Sequence, residues 1–261
     1  VDVLSYLVTL DDYSMTDVSN LVHIVDVIEL QPGRTTNTKE RLGAPGSFVI
    51  RDHINTRQVR VQFAILTSDP VARAAALSSL SAWAMDGKYL KIGDRPGQQL
   101  RVVCTDTPLT MSKRKWTELC EMTFTAFSTP FWEDVTPIEV TKKGLTAETL
   151  TIFPPGNVWQ VPLRCRVTPV EETLTQFGIN AYGATMVFSG LAVPAGKTLV
   201  IDYEDGLLSA KWTADDGTVV PCLRYRAGAE YIPLTTRKTN EVIVMADAVS
   251  DVTLSVKGWY W

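Results

Sequence analysis

The sequence predicts a mainly β fold in two domains: an N-terminal β-sheet domain with one packing α-helix, and a C-terminal antiparallel β-sandwich. Three observations carry this. Residues 58–66 alternate cleanly, Val59, Val61, Phe63 and Ile65 on one side, Gln58, Arg60 and Gln62 on the other, the period of a strand with one buried face. Only one segment, 70–86, carries apolar residues at convincing helical spacing. In the second half helical spacing is absent, while Pro, Gly and Asp turn signals recur every few residues, the pattern of a two-sheet sandwich.

Taken in order, Leu21–Leu30 is rich in β-branched residues and ends in the turn Gln31-Pro32-Gly33. Residues 34–46 are polar, close on Ala44-Pro45-Gly46, and read as an extended loop. After the alternating strand, Asp69 is a good N-cap and Pro70 takes the first helical position, where its missing N–H costs nothing. Leu77, Leu80 and Ala84, with Trp83 beside them, form the helix's apolar stripe, and Gly87 suits a left-handed cap. Strands follow at 88–92, 98–105 and 116–127. Leu100, Val102 and Cys104 share a face, as do Cys120, Met122, Phe124 and Ala126, so Cys104 and Cys120 are expected to be buried on adjacent strands beneath the helix. The opposite faces carry Arg101 and Thr105, then Glu121, Thr123 and Thr125, a polar side kept free. Ser128-Thr129-Pro130 closes this half, and the polar stretch 134–147 is a natural junction, dividing the chain into domains 1–135 and 136–261. Beyond it, short strands are expected near 148–153, 158–167, 173–179, 184–190, 197–203, 207–213, 218–224, 229–233, 241–246 and 250–260.

Composition narrows the function classes. A formal charge of −4, from 25 basic and 29 acidic residues, is too weak and too mixed for a nucleic-acid footprint, so no sequence-specific nucleic acid is expected. No apolar run is long enough for a membrane helix, and the first residues hold acids where a signal peptide would be basic, so a soluble protein made in a cytoplasm is expected. The four cysteines, Cys104, Cys120, Cys165 and Cys222, stand singly and far from His23 and His53, which speaks for apolar filling of strand cores rather than zinc or disulfides. No phosphate-binding loop, zinc-protease or nucleophile-elbow motif occurs. The carboxylates of Asp202, Glu204-Asp205 and Asp215-Asp216 close a strand or flank glycines, where Asp serves turns. No enzyme activity, metal or cofactor is expected. Trp159, Trp212 and the terminal Trp259-Tyr260-Trp261 suit either a sugar-stacking surface or the plugging of a sandwich end or subunit contact.

The ordered turns and strands have a further meaning. Ala44-Pro45-Gly46-Ser47-Phe48, the strand 58–66, the helix with Trp83, the turn Asp94-Arg95-Pro96-Gly97 and the run Phe127-Ser128-Thr129-Pro130-Phe131-Trp132 follow one another in the first half. In the second, Gly156-Asn157 precedes a strand with Pro162, and Gly196, Leu199, Ile201 and Asp202 mark another. In this order, over nearly the whole chain, they resemble the distal tail protein of phages with long non-contractile tails. One stretch departs: residues 234–240 (LTTRKTN) lack the glycine of the family's late turn and are longer.

The resemblance implies a tail-tube-like N-terminal domain and a galectin-like C-terminal sandwich. It implies a homo-oligomer, a hexameric ring of N-terminal domains continuing the tail tube, with the sandwich outside. The function implied is a structural baseplate or tail-tip hub that joins the tail tube protein to the tip protein (tail-associated lysin) and lets DNA pass, with a receptor-binding protein as a further partner. The location implied is the virion tail tip, after assembly in the bacterial host cytoplasm. The alternative is a carbohydrate-binding β-sandwich protein in host adsorption, although the chain has no inserted sugar-binding module. A closed ring would turn the polar sheet side to its hole, which makes Arg60, Gln62, Arg101, Glu121, Thr123 and Thr125 the expected lumen-facing residues.

Overall fold

The computed structural model describes residues 7–40, 47–106, 119–204 and 206–261, with all their side chains except those at 37–40, 47–52 and 204. The chain divides into two units, 1–132 and 133–261. The first runs β1 (Val8–Leu10), β2 (Tyr13–Ser14), α1 (Met15–Val18), β3 (Val22–Leu30), β4 (Arg34–Glu40), β5 (Ser47–Ile54), β6 (Arg57–Ile65), α2 (Pro70–Asp86), β7 (Tyr89–Ile92), β8 (Gln98–Arg101), β9 (Val103–Asp106) and β10 (Leu119–Ala126). One sheet has the order β3-β6-β10-β9, antiparallel throughout. A second contains β2-β1-β7-β8, and β4 with β5 makes a separate hairpin.

The alternation of β6 becomes a dry sheet face. Val59, Val61 and Phe63 are fully buried and stand opposite Phe124, Met122 and Cys120 of β10. On this face the Trp83 ring of α2 meets Phe124 edge-on at 6.3 Å, while its indole N–H donates to the Tyr13 carbonyl at 3.1 Å. Asp69 caps α2 by accepting from the Val71 N–H at 2.9 Å. The buried stripe is Ala76, Leu80, Trp83 and Ala84; Leu77 flanks it half-buried. Gly87 is not left-handed but extended, at φ −78°. A Cβ there would lie 2.6 Å from that of Leu10, so this glycine serves the close approach of β1.

Three further expectations change. Residues 34–40, expected as loop, form β4; they are polar on both sides, so no apolar alternation announces them. The turn Ala44-Pro45-Gly46 lies outside the described residues, as do positions 116–118 of the third expected strand. The expected strand 98–105 breaks at Val102, whose N–H donates to the Lys88 carbonyl at 2.8 Å, and the chain passes from β8 in one sheet to β9 in the other. Cys104 therefore sits on an edge strand, opposite Phe124 and half-exposed, while Cys120 is buried. The two share a face but not the burial expected of both.

The strand β11 (Trp132–Asp134) spans the boundary. The second unit continues with β12 (Ile138–Ile152), β13 (Gln160–Pro162), β14 (Arg164–Pro169), β15 (Leu174–Ala181), β16 (Ala184–Val193), β17 (Leu199–Glu204), β18 (Leu207–Thr213), β19 (Val219–Pro221), a 3-10 turn at Leu223–Tyr225, β20 (Arg226–Gly228), β21 (Pro233–Thr235), β22 (Asn240–Val256) and β23 (Trp259–Tyr260). Its spine is β22. One edge pairs with β12 along nearly its whole length; the other pairs with β15 over Ile243–Ala246 and with β14 over Ser250–Ser255. The sheet order is thus β19-β18-β17-β14-β22-β15-β16-β20, and β12 shifts register between Lys142 and Ala147. Such irregularities let long strands turn from one layer into another. Phe177 and Phe188 on one flank, and Val167, Leu199 and Ile201 on the other, enter a single core with Val242, Val244, Val252 and Leu254 of β22. The junction expected at 134–147 is largely β12, of whose residues 138–144 only Val140 is even half-buried, so that they carry little strand signal. The strands expected at 241–246 and 250–260 are joined in β22 as far as Val256, with β23 following separately, and that expected at 229–233 falls between β20 and β21 and meets β21 only at Pro233.

Candidate functional site

The four-stranded sheet of the first unit has a second face. Registers place Gln62 opposite Glu121, Arg60 opposite Thr123 and Gln58 opposite Thr125, with Asp26 and Ile28 of β3 alongside Gln62 and Arg60. Gln62 Nε2 donates to Glu121 Oε2 at 3.1 Å, and Arg60 Nε lies 3.7 Å from Glu121 Oε1, an ion pair without a hydrogen bond. Arg60 and Glu121 are 43% and 39% exposed, a setting in which the pair contributes little to stability and chiefly cancels charge. The Thr105 and Thr125 hydroxyls are hydrogen-bonded at 2.8 Å, and that of Thr105 donates to the Thr123 carbonyl at 3.3 Å. Five of the six residues expected to line a lumen therefore share this face, although Thr123 and Thr125 are buried in it. Arg101 does not: it belongs to β8, in the other sheet, with its guanidinium 5.8 Å from the Tyr89 ring. His23 and Asp26 are exposed members of the polar face that the sequence reading left out.

At one end of the dry face lies a charged node the sequence reading missed. Glu29 follows Val27 on the buried side of β3, opposite Val59. Its carboxylate accepts from Arg57 Nη1 at 3.2 Å, from Arg95 Nε at 2.9 and 3.1 Å, and from the Trp132 indole at 2.9 Å. Arg57 is wholly buried and also donates to the Pro130 carbonyl at 2.8 Å and to Gln31 at 3.2 Å. Burial pushes the Arg57 guanidinium below its ordinary value, and the Glu29 carboxylate opposes that shift. The Arg95 guanidinium stands 5.2 Å from the centroid of the Trp132 ring. The turn Asp94–Gly97 and the run Phe127–Trp132, which carry the resemblance in the first half, are thus tied to the same carboxylate.

The remaining candidates do not converge. Asp202 pairs with Arg164 at 2.8 Å, Asp215 with Lys197, and Asp216 accepts from the Thr218 N–H at 2.8 Å, which holds its carboxyl below the usual range. Among the described residues no three His, Cys, Asp or Glu side chains gather as a metal site, and no helix is long and apolar enough to cross a membrane. Trp212 and Trp259 are packed against the core of the second unit, whereas Trp159 is 71% exposed.

The backbone arrangement as a whole matches solved structures. The Dit (gp 19.1) protein of SPP1, described as a paradigm of the hub adsorption apparatus in phages infecting Gram-positive bacteria, superposes with a TM-score of 0.66 at 12% identity, covering 96% of this chain and 98% of that one. The chain has the fold of a phage distal tail protein. Chains of the phage P2 baseplate, in its activated conformation with calcium or strontium, match at TM-scores of 0.52 and 0.51, each at 10% identity and covering 91% of this chain and 90% of theirs. No protein-family model and no curated protein matches the sequence.

Proposed function

We propose that this chain is a structural hub of a phage tail, a non-enzymatic protein of which six copies close into a ring at the virion tail tip. The observation that carries the reading is the sheet β3-β6-β10-β9. With four strands, antiparallel throughout, its two edge strands run in opposite directions. Rotation about a ring axis therefore brings β9 of one copy beside β3 of the next as a further antiparallel pair, and repeated rotation closes the sheet. At about 4.8 Å between strands and a tilt near 40°, twenty-four strands enclose a backbone circle roughly 48 Å across, or about 38 Å after a side-chain layer on each wall. Arg60, Gln62 and Glu121, with His23 and Asp26, would face that opening, and DNA would pass without being held.

The partners in this reading are the tail tube protein on one side, the tip protein on the other, and a receptor-binding protein, with assembly in the host cytoplasm; the likeness to hub and baseplate proteins supports partners within a tail assembly. Light scattering after size exclusion tests the ring directly. A particle near 173 kDa, six times 28.9 kDa, is expected, with six-fold rings in electron micrographs. Val103 is 57% exposed on edge strand β9, so Val103→Lys should leave the monomer folded and lower the assembled fraction. A wild-type chain that stays monomeric at high concentration would defeat the proposal.

A further inference from the structure

One end of the second unit carries three exposed aromatic rings around a single turn. Phe153, Trp159 and Tyr182 are 53%, 71% and 62% exposed. The turn joins β21 to β22 and contains Thr236, Arg237, Lys238 and Thr239. Lys238 Nζ stands 5.9 Å from the centroid of the Trp159 ring, and the Tyr182 hydroxyl reaches the Thr239 carbonyl at 3.5 Å. Phe153 directly precedes Pro154, whose carbonyl accepts from the Arg237 N–H at 3.0 Å.

The backbone beneath is fixed. Thr236 donates through its N–H to the Trp159 carbonyl and through its hydroxyl to that of Val158, and Arg237 Nε donates to Gly156. Buried Asn240 bonds the carbonyls of Thr235 and Lys238 and accepts from the Thr235 N–H. Tyr182 and Arg237 both adopt left-handed backbone, at φ +50° and +57°. Tyr182-Gly183 is a two-residue hairpin turn in which Asn is favoured at the first position, and Arg237 takes the left-handed backbone that glycine adopts most readily. Large side chains are thus kept at two places where the backbone disfavours them, and strain of that kind collects at functional sites.

We propose that this end of the second unit binds a saccharide bearing anionic groups, with a sugar ring stacked on Trp159 and the anion beside Lys238 and Arg237. The exposed rings amount to roughly 300–450 Å², judged from the 150–250 Å² that each aromatic side chain buries when covered. That is well short of the roughly 800 Å² per partner of a stable protein interface. The size suits a small ligand, and the turn holds two cationic side chains and no acidic one, which selects negative charge. The inference goes beyond the hub reading and does not depend on it.

Tryptophan fluorescence and calorimetry on the full chain test it with trigalacturonate (carboxylate), glucose 6-phosphate (phosphate) and maltotriose (neutral). Saturable binding of at least one anionic sugar is expected, tighter by about fivefold or more than maltotriose and weakened by salt. Trp159→Ala should abolish it, Lys238→Ala should weaken it about fivefold, and Trp261→Ala should leave it unchanged. The anionic sugar that binds distinguishes a carboxylated from a phosphorylated ligand. Absence of saturable binding to both anionic sugars, binding that survives Trp159→Ala, or equal binding of maltotriose overturns the proposal. Light scattering on the same samples reports the ring separately, so failure of one reading is not mistaken for failure of the other.

Discussion

Glu29 is the residue on which the first unit's interior electrostatics turn. Its carboxylate faces Arg57, Arg95 and the Trp132 indole, and Arg57 has no solvent exposure. Removing one partner from a buried ion pair leaves the other charge uncompensated, a loss of about 3–5 kcal/mol. Glu29→Ala is therefore expected to destabilise the protein by that amount in urea unfolding, while Asp26→Ala, exposed three residues away, should fall within about 0.5 kcal/mol of wild type. Equal effects of the two would refute the node. Part of it was legible: Arg57 occupies the apolar phase of the β6 alternation, an odd place for a charge. Glu29 was hidden by the register shift between Ile24 and Asp26, which changes the side its residue number suggests. The thiols divide in the same way. Cys120, Cys165 and Cys222 are buried, and Cys104 is half-exposed with its thiol pushed up first by desolvation. A thiol reagent should label Cys104 alone in the native protein, slowly near neutrality and faster as pH rises toward the raised value, and all four after unfolding.

Among the elements, α2 was the clearest in the sequence, because an N-cap, a first-position proline and helical spacing agree. Its docking face was legible to within one residue. Leu80 is fully buried and Leu77 only half-buried, so Leu80→Ala should cost about 2–5 kcal/mol and Leu77→Ala distinctly less. The reverse order would mean that the helix is rotated on the sheet. Strands with one dry face, such as β6 and β10, were equally readable. What escaped were β4 and the first half of β12, polar strands paired by backbone hydrogen bonds, and the union of two short runs into β22, because the inward positions between them, Ala246, Ala248 and Ser250, are small or polar and the apolar alternation fades there. The turn at Tyr182-Gly183 yields a test of opposite sign. Tyr182→Asn should raise stability by about 1 kcal/mol by relieving a bulky residue at positive φ, and should weaken saccharide binding at Trp159.

For the whole molecule, the sheet edges state where association belongs. In the second unit the edge strands are β19 and β20, three residues each, one ending in Pro221 and the other in Gly228, and β12, which pairs only with β22, carries exposed Lys142 and Lys143 and is broken by register shifts between Lys142 and Ala147; each is a poor template for another strand. In the first, β3 offers a nine-residue edge and β9 the opposite one. A ring built on those edges would expose Arg60, Glu121 and Asp26 from every copy toward the opening, one positive charge against two negative. DNA is held electrostatically by neutralising phosphates and releasing counterions, so a wall of this composition has nothing to exchange and should not bind a duplex even at about 0.05 M salt. Glu121→Lys changes the charge by two per copy, hence about twelve in a ring of six. Glu121 is 39% exposed, so the fold should tolerate the replacement. The variant ring should bind a short duplex at low salt in fluorescence anisotropy and release it as salt rises, log K falling by about 0.9 per phosphate neutralised for each tenfold change in salt. Tight, salt-resistant binding by the wild type would contradict a passage that lets DNA slide. An assembled Glu121→Lys ring with no gain in binding would place this face away from the opening.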